Sequence, residues 1–174
     1  MPAMPRYEYR GKYPVVAPGA WVAPTASLIG DVVIEDGASI WFNSTLRGDM
    51  AQIVVGKGSS VQDNVVIHTE EGGPTKIGSG CMIGHGATVH SSLLDDDVVI
   101  GGRAVLAGSN RVGAGAMIQP AAVLPEGATV PAAAIMDGVP ARPVGRVDDE
   151  ARQRARERIA RDRLLAAGYA SDPD

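Results

Sequence analysis

The stretch IGSGCMIGHGATVH, residues 77–90, places an aliphatic residue at every sixth position. A small residue, Cys81 or Ala87, stands two positions before an aliphatic one. A six-residue unit of this kind suits a short strand followed by a turn, with the aliphatic and the small side chain both directed into a narrow core. Glycine supplies turns in which φ is positive. The stretch therefore predicts a coil of hexapeptide units in which Cys81 is buried.

The same rhythm covers most of the chain, with a three-residue slip after Leu46 and a break at residues 69–74. Three units close one triangular coil, and successive coils stack as parallel strands roughly 4.8 Å apart. The predicted fold is all-β, a parallel β-helix of hexapeptide repeats followed by one C-terminal α-helix. The inward aliphatic positions are Val16, Val22, Leu28, Ile34, Ile40, Leu46, Val55, Val61, Ile67, Ile77, Ile83, Val89, Leu94, Ile100, Leu106, Val112, Ile118, Leu124 and Val130.

Four segments follow from this repeat: an N-terminal strand or arm at residues 1–14, the β-helix at 15–147, a helix at 148–168 and a disordered tail at 169–174. Acidic residues begin the helix segment and arginines fill it, which suits the helix dipole. Ala151, Ala155 and Ile159 share one face that can pack along the β-helix, and Gly168 suits a C-cap. The arginines form either a solvated face or a subunit contact.

The composition limits the partners of the chain. A formal net charge of −4 argues against a nucleic-acid partner and against a basic membrane anchor. The first residues contain no apolar run of the kind found in signal peptides or membrane spans. The single cysteine excludes an intrachain disulfide. We therefore expect a cytoplasmic protein.

The chain contains three histidines, the number of imidazoles in many catalytic metal sites. His68 follows the inward Ile67 and His90 follows the inward Val89, so the two histidines should be outward neighbours one coil apart. His85 falls at a preceding corner, where one chain cannot easily bring it to the same ion. A three-fold trimer would place His85 of one subunit beside the other two. The pattern predicts a metal site between subunits; the alternative is a set of surface histidines without a ligand.

Several motifs resemble the γ-class carbonic anhydrase family: WFNSTLRGD at residues 41–49, VQDNVVIHT at 61–69, and the histidines at 83–90. GVPA at 138–141 is similar to the ending shared by many hexapeptide proteins, acyltransferases included. The resemblance runs from about residue 15 to 144. It implies a left-handed β-helix, a homotrimer, and reversible hydration of CO₂ to bicarbonate.

The resemblance also implies roles for individual residues. Zn²⁺, or Fe²⁺ or Co²⁺, would be held by the three histidines, and Gln62 would lie near the metal-bound solvent. Three neutral imidazoles leave the ion its full charge, which acidifies bound water to a pKa of roughly 7. The residues implied at the subunit seam are Arg47, Asp49, Asp63 and Asn64, and they can equally be a purely structural set.

Other interpretations stay open. Glu70 and Glu71, on the loop after His68, are candidates for the proton carrier, or else part of a solvated loop. Hexapeptide repeats also occur in acyltransferases and thioesterases that act on acyl-CoA. A third possibility is an inert trimeric scaffold with a vestigial metal site.

Overall fold

A computed structural model describes residues 5–171. Within them, twenty strands, most of two or three residues, form about seven turns of a parallel β-helix, and one helix follows. The helix is α1 (Asp149–Ser171). The strands in chain order are β1 (Arg6–Tyr7), β2 (Val15–Val16), β3 (Trp21–Val22), β4 (Ser27–Ile34), β5 (Ser39–Ile40), β6 (Thr45–Val55), β7 (Ser60–Val61), β8 (Val66–His68), β9 (Thr75–Ile77), β10 (Met82–Ile83), β11 (Thr88–His90), β12 (Leu93–Leu94), β13 (Val99–Ile100), β14 (Val105–Leu106), β15 (Arg111–Val112), β16 (Met117–Ile118), β17 (Val123–Leu124), β18 (Thr129–Val130), β19 (Ala134–Gly138) and β20 (Ala141–Arg146).

The strands form three faces. One sheet has the order β17-β14-β11-β8-β6-β9-β12-β15-β18, with β4, β1 and β2 beyond β6. The first part of β6 pairs with β8 and its last part pairs with β9, so this sheet bends and covers two faces. The second sheet, β20-β19-β16-β13-β10-β7-β5-β3, is the third face. The predicted hexapeptide β-helix with one C-terminal helix is confirmed.

The core is the stack of inward positions that the repeat predicted. Every predicted aliphatic position is buried except Val16, which is half-buried in the first coil. Cys81 is also buried, as predicted, and burial raises the pKa of its thiol to about 12. Residues other than glycine take positive φ at several corners, among them Asn43, Asn64 and Asp97.

The three-residue slip in the repeat is a bulge in β6. Gly30 pairs with Gly48 and Val32 pairs with Ile53, so β6 contains three residues more than β4 at this point. The chains approach closely here, because a Cβ on Gly30 would lie 2.5 Å from the Gly48 carbonyl oxygen. Asp49 lies among the extra residues of this bulge, within 3.1 Å of His68 at the end of β8.

Helix α1 returns along the second sheet from the last coil to the first. The Ala151 N–H donates to Asp148 Oδ1 at 2.7 Å, which makes Asp148 the N-cap. The helix contacts β3, β5 and β7. A helix of 23 residues is roughly 34 Å long, close to the height of seven stacked coils. The predicted packing face is correct, since Ala151, Ala155 and Ile159 are all partly covered.

Two predicted boundaries need correction. The helix continues to Ser171, so Gly168 is not a C-cap and residues 169–171 are not a disordered tail. Tyr169 stays helical because its ring packs on the aromatic side chains of the first coils. The remainder of the predicted tail, 172–174, lies outside the described residues, as do residues 1–4 of the predicted arm. The described part of the arm contains β1, which pairs with β4, and a bridge between Tyr9 and Lys12.

The end of the β-helix also differs from a simple exit segment. Strands β19 and β20 form an antiparallel pair, which closes the last turn of the second sheet. In the part of the chain that the structure describes, no helix is long and apolar enough to cross a bilayer.

Candidate metal centre

His68 and His90 are neighbours on one face, as the repeat predicted. They are register partners at the ends of β8 and β11. Their rings stack with centroids 5.4 Å apart and planes at 20°. Both side chains are half-buried. A Cβ on Gly108 would lie 3.3 Å from His90 Nδ1, so a glycine in the next coil leaves room for this ring. Two imidazoles in this arrangement can bind the same ion.

Asp49 links Arg47 to His68. One carboxylate oxygen of Asp49 lies 3.1 Å from His68 Nε2, and the other accepts a hydrogen bond from Arg47 Nη1 at 2.5 Å. Burial opposes ionisation of Asp49, but the hydrogen bonds from Arg47 and His68 outweigh it and lower the pKa of the carboxyl. Asp49 therefore holds Nε2 of the His68 ring, and Nδ1, which makes no hydrogen bond within residues 5–171, is the nitrogen left for another ligand. The Arg47–Asp49 pair lies within one chain.

His85 lies at the corner after β10, on the surface. Its Nδ1 is 2.9 Å from Asp63 Oδ2, and its side chain is 64% exposed. The other carboxylate oxygen of Asp63 accepts a hydrogen bond from the Phe42 N–H at 3.1 Å, which fixes the carboxylate. Asp63 thus orients the His85 ring with Nε2 directed away from the backbone of its own corner. An imidazole oriented by a carboxylate is the usual form of a metal-ligating histidine.

One chain does not bring the three histidines together. Among residues 5–171, no three His, Cys, Asp or Glu side chains are arranged to hold a metal ion. His68 and His90 form one half of a possible donor set, while His85 stands apart and exposed. A second copy of the chain would have to supply the missing half.

Gln62 lies beside His85 rather than beside the stacked pair. Both line a cavity of about 590 Å³ between α1 and the second sheet. Gln62 is buried, and its Nε2 donates to Asp162 Oδ2 on α1 at 3.1 Å. Arginine side chains of the C-terminal segment also line this cavity, at positions Arg146, Arg154 and Arg158.

The other predicted site residues, Glu70, Glu71 and Asn64, differ in how far they are exposed. Glu70 is half-buried near His90: its N–H donates to Ser91 Oγ at 2.8 Å, and its Oε1 accepts a hydrogen bond from Ser109 Oγ at 3.4 Å. Glu71 is exposed on the loop. Asn64 occupies a corner with a φ of 59° and is exposed. Glu70 is thus tied to Ser91, the residue that follows His90.

Sequence reasoning missed Asp162 and Ser60. Asp162 Oδ2 accepts hydrogen bonds from Ser60 Oγ at 2.7 Å and from Gln62 Nε2. A signal was available, since Asp162 lies on the face of α1 that Ala155 and Ile159 define. A charged residue on a packed face needs a polar partner opposite.

Comparison with known proteins finds relatives in sequence. γ-Carbonic anhydrase 2, mitochondrial, of Arabidopsis thaliana is 35% identical over 145 residues, which make up 80% of this chain and 52% of that protein. The carnitine operon protein CaiE of Escherichia coli is 33% identical over 147 residues, 84% of this chain and 75% of that protein.

A solved structure is similar over almost its whole length. The crystal structure of a hexapeptide transferase family protein from Anaplasma phagocytophilum superimposes with a TM-score of 0.91 at 32% identity, covering 95% of this chain and 98% of that one. No family model matches the chain. The chain spans about half the length of the plant relative, with 52% of it covered.

Proposed function

The chain belongs to the hexapeptide-repeat family that includes the γ-class carbonic anhydrases, and from this premise we propose that it is a metal-dependent carbonic anhydrase. It hydrates CO₂ reversibly to bicarbonate. The working form is a homotrimer, in which His68 and His90 of one chain and His85 of the next hold one metal ion at each seam.

This proposal rests on one observation: the chain presents its histidines in two separate places, the stacked His68–His90 pair and the single His85. The His68–His90 rings are stacked 5.4 Å apart, and Asp63 holds His85 at 2.9 Å on an exposed corner. A corner histidine that is held by a half-buried carboxylate, itself anchored to the Phe42 N–H, is unusual for a solvated surface residue. Its orientation is explained if the free nitrogen of His85 binds a metal ion that His68 and His90 of the neighbouring subunit also bind.

The donor set fits a borderline divalent cation. Imidazole suits Zn²⁺, Fe²⁺ and Co²⁺, and three of them leave one coordination position open. Zn²⁺ is the proposed ion, with Fe²⁺ or Co²⁺ as possible substitutes. When bound, it lowers the pKa of its water ligand to about 7 and so supplies hydroxide at neutral pH. Asp49 and Asp63 keep the ligand rings oriented from outside.

The other residues orient the nucleophile and move protons. Gln62, beside His85, can accept a hydrogen bond from the attacking oxygen through Oε1. The proton released in each turnover needs an acceptor near the surface. Glu70 is the better candidate because Ser91 and Ser109 hold it near His90, whereas Glu71 is exposed on the loop. Arg47, Asp49, Asp63 and Asn64 are proposed to lie at the seam.

The test is CO₂ hydration by stopped flow, with metal-loaded protein prepared without oxygen. We expect hydration by the wild type and its loss in His85→Ala, together with loss of metal from that variant. Lys57→Ala is the matched control, since Lys57 is exposed at another corner of the same β-helix. Wild-type protein that binds metal at the three histidines without hydrating CO₂ would favour an inert scaffold.

The alternative function is acyl transfer or thioester hydrolysis on an acyl-CoA. Two observations favour it: the similarity to a hexapeptide transferase family protein, and the arginines Arg146, Arg154 and Arg158 around the cavity beside His85. Acetyl-CoA calorimetry separates the two functions. Saturable micromolar binding with acyl turnover, and no CO₂ hydration, would replace carbonic anhydrase with this alternative.

The cytoplasm is the proposed location. A single buried cysteine without a possible intrachain disulfide suits a reducing compartment. The plant relative is named as mitochondrial, so the location of this chain needs its own test, for which fractionation of the native host suffices.

A further inference from the structure

The side chain of Gln62 is fixed at one end by helix α1. Asp162 Oδ2 accepts from Gln62 Nε2 at 3.1 Å and from Ser60 Oγ at 2.7 Å. The backbone of Gln62 is fixed too, because its N–H donates to the Ile83 carbonyl at 2.9 Å and its carbonyl accepts from Ser44 Oγ at 2.6 Å. With the backbone fixed, the remaining freedom of Gln62 is the direction in which its side-chain amide points.

Asp162 decides which end of the amide faces the helix. An ionised carboxylate only accepts hydrogen bonds, so the NH₂ group of Gln62 must face Asp162 and Oε1 must face the other way. Among residues 5–171, no group donates a hydrogen bond to Oε1, and no fully buried polar side-chain atom lacks a partner. Oε1 is therefore accessible, on a side chain that lines the same cavity as His85.

We propose that Asp162 is a positioning residue that holds Gln62 with its amide oxygen toward the cavity beside His85. This inference rests on the proposed function. An acceptor at this place binds the hydrogen of the attacking oxygen and directs a lone pair toward the carbon of CO₂. The reversed amide would donate to that oxygen instead and occupy the lone pair needed for attack.

Ser60 gives a matched control. Its hydroxyl donates to the same oxygen of Asp162, but it makes no hydrogen bond with the Gln62 amide. Ser60→Ala therefore weakens the docking of α1 without changing the amide orientation, whereas Asp162→Ala removes both. A merely structural role for Asp162 would make the two variants behave alike.

The kinetic test is a double-mutant cycle on trimers of equal metal content. We expect Asp162→Ala to lower kcat for CO₂ hydration by about 10- to 100-fold, with KM changed much less. In a Gln62→Ala background, Asp162→Ala should cause no further loss. Ser60→Ala should stay within about twofold of wild type. Equal losses in Ser60→Ala and Asp162→Ala, or full additivity with Gln62→Ala, would overturn the proposal.

A second readout does not need activity. The side-chain amide resonances of Gln62 in the zinc-free protein can be assigned from their loss in Gln62→Ala. We expect one amide proton to be shifted by the carboxylate in wild type and Ser60→Ala, and to lose that shift in Asp162→Ala. If wild type does not hydrate CO₂, the proposed function fails, yet this spectrum still decides the positioning. An unchanged Gln62 amide in Asp162→Ala would show that Asp162 does not hold it.

Discussion

At the scale of single residues, two carboxylates, Asp49 and Asp63, each contact one imidazole. Asp63 binds His85 at 2.9 Å, and Asp49 binds His68 at 3.1 Å. Such contacts fix the tautomer and the orientation of the ring before any ligand arrives. Because the ring is already ordered, ligand binding does not have to overcome the loss of its conformational entropy. The carboxylates should therefore matter for affinity although they are not ligands themselves.

Asp63→Asn tests this role. The amide keeps the size of the side chain and can still accept from the Phe42 N–H, but it loses the charge that polarises His85. We expect the affinity of the trimer for Zn²⁺ to fall by about 10- to 100-fold. Competition with a chromophoric chelator measures it, with Asp36→Asn at an exposed corner as control. Equal affinity in both variants would leave Asp63 a structural role only.

The buried thiol of Cys81 makes stability depend on pH. Burial raises the thiol pKa from 9.0 to about 12 in the folded chain. Above pH 9 the unfolded chain loses this proton and the folded chain keeps it, so the free energy of unfolding falls as pH rises. The slope reaches about 1.4 kcal/mol per pH unit. Below the unfolded pKa the effect is absent.

Cys81→Ala is the matched variant, because Ala87 and Ala104 fill the equivalent inward slots of other units. Urea unfolding of both proteins across this alkaline range should show a steeper decline for wild type than for Cys81→Ala. Parallel curves would mean that the thiol ionises in the folded state as easily as in the unfolded chain.

Some residue contacts could be predicted from sequence and others could not. The pairing of His68 with His90 follows from counting six-residue units, since the register of a stacked coil is fixed by its core. The contact of Gln62 with Asp162 joins residues 100 positions apart. It depends on the rotation and the axial position of α1 on the sheet, which the repeat does not determine.

At the scale of elements, the end of α1 is held by aromatic packing. The Tyr169 ring stacks on Trp21 with centroids 5.6 Å apart and meets Phe42 edge-on at 5.4 Å. This cluster explains why the helix passes the predicted end at Gly168. A glycine near the end of a helix pattern predicts a stop only when nothing beyond it packs.

Tyr169→Ala should loosen the last turn of α1 and lower stability by about 1–2 kcal/mol, less than for a fully buried ring. Tyr169 is 47% exposed, which limits the loss. Denaturation followed by tryptophan fluorescence reports directly, because Trp21 and Trp41 both contact this ring. Arg161→Ala, exposed on the same helix, should leave the midpoint unchanged. A shift of equal size in both variants would contradict the aromatic anchor.

The lengths of the strands could be predicted only in part. The positions of the inward residues were predictable, but the continuous strands β4 and β6 were not, because each runs around a corner that the pattern marks as a turn. Gly30 and Gly48 allow the two backbones to approach there. The slip of three residues indicated a disturbance, and only the pairing of β6 with both β8 and β9 shows that it is a bulge.

At the scale of the whole molecule, each chain carries two different halves of the proposed centre. The stacked pair lies on the bent sheet, and His85 lies at the corner beyond the second sheet. Two unlike patches that complete each other give a head-to-tail contact, which closes into a ring when the rotation allows. A triangular β-helix suits three-fold closure, which yields three equal sites.

The pairing of halves predicts which defective chains can rescue each other. In a random trimer of His68→Ala and His85→Ala chains, about one quarter of the seams join an intact His68–His90 pair to an intact His85. Co-refolded mixtures should thus recover about one quarter of the zinc content of wild type. Mixing His68→Ala with His90→Ala is the control, because both ligands come from the same chain and no seam is intact.

Recovery in neither mixture, although mixed trimers form, would mean that the three histidines do not meet between subunits. Recovery in both would place His68 and His90 on different chains, which their stacking at 5.4 Å in one chain argues against.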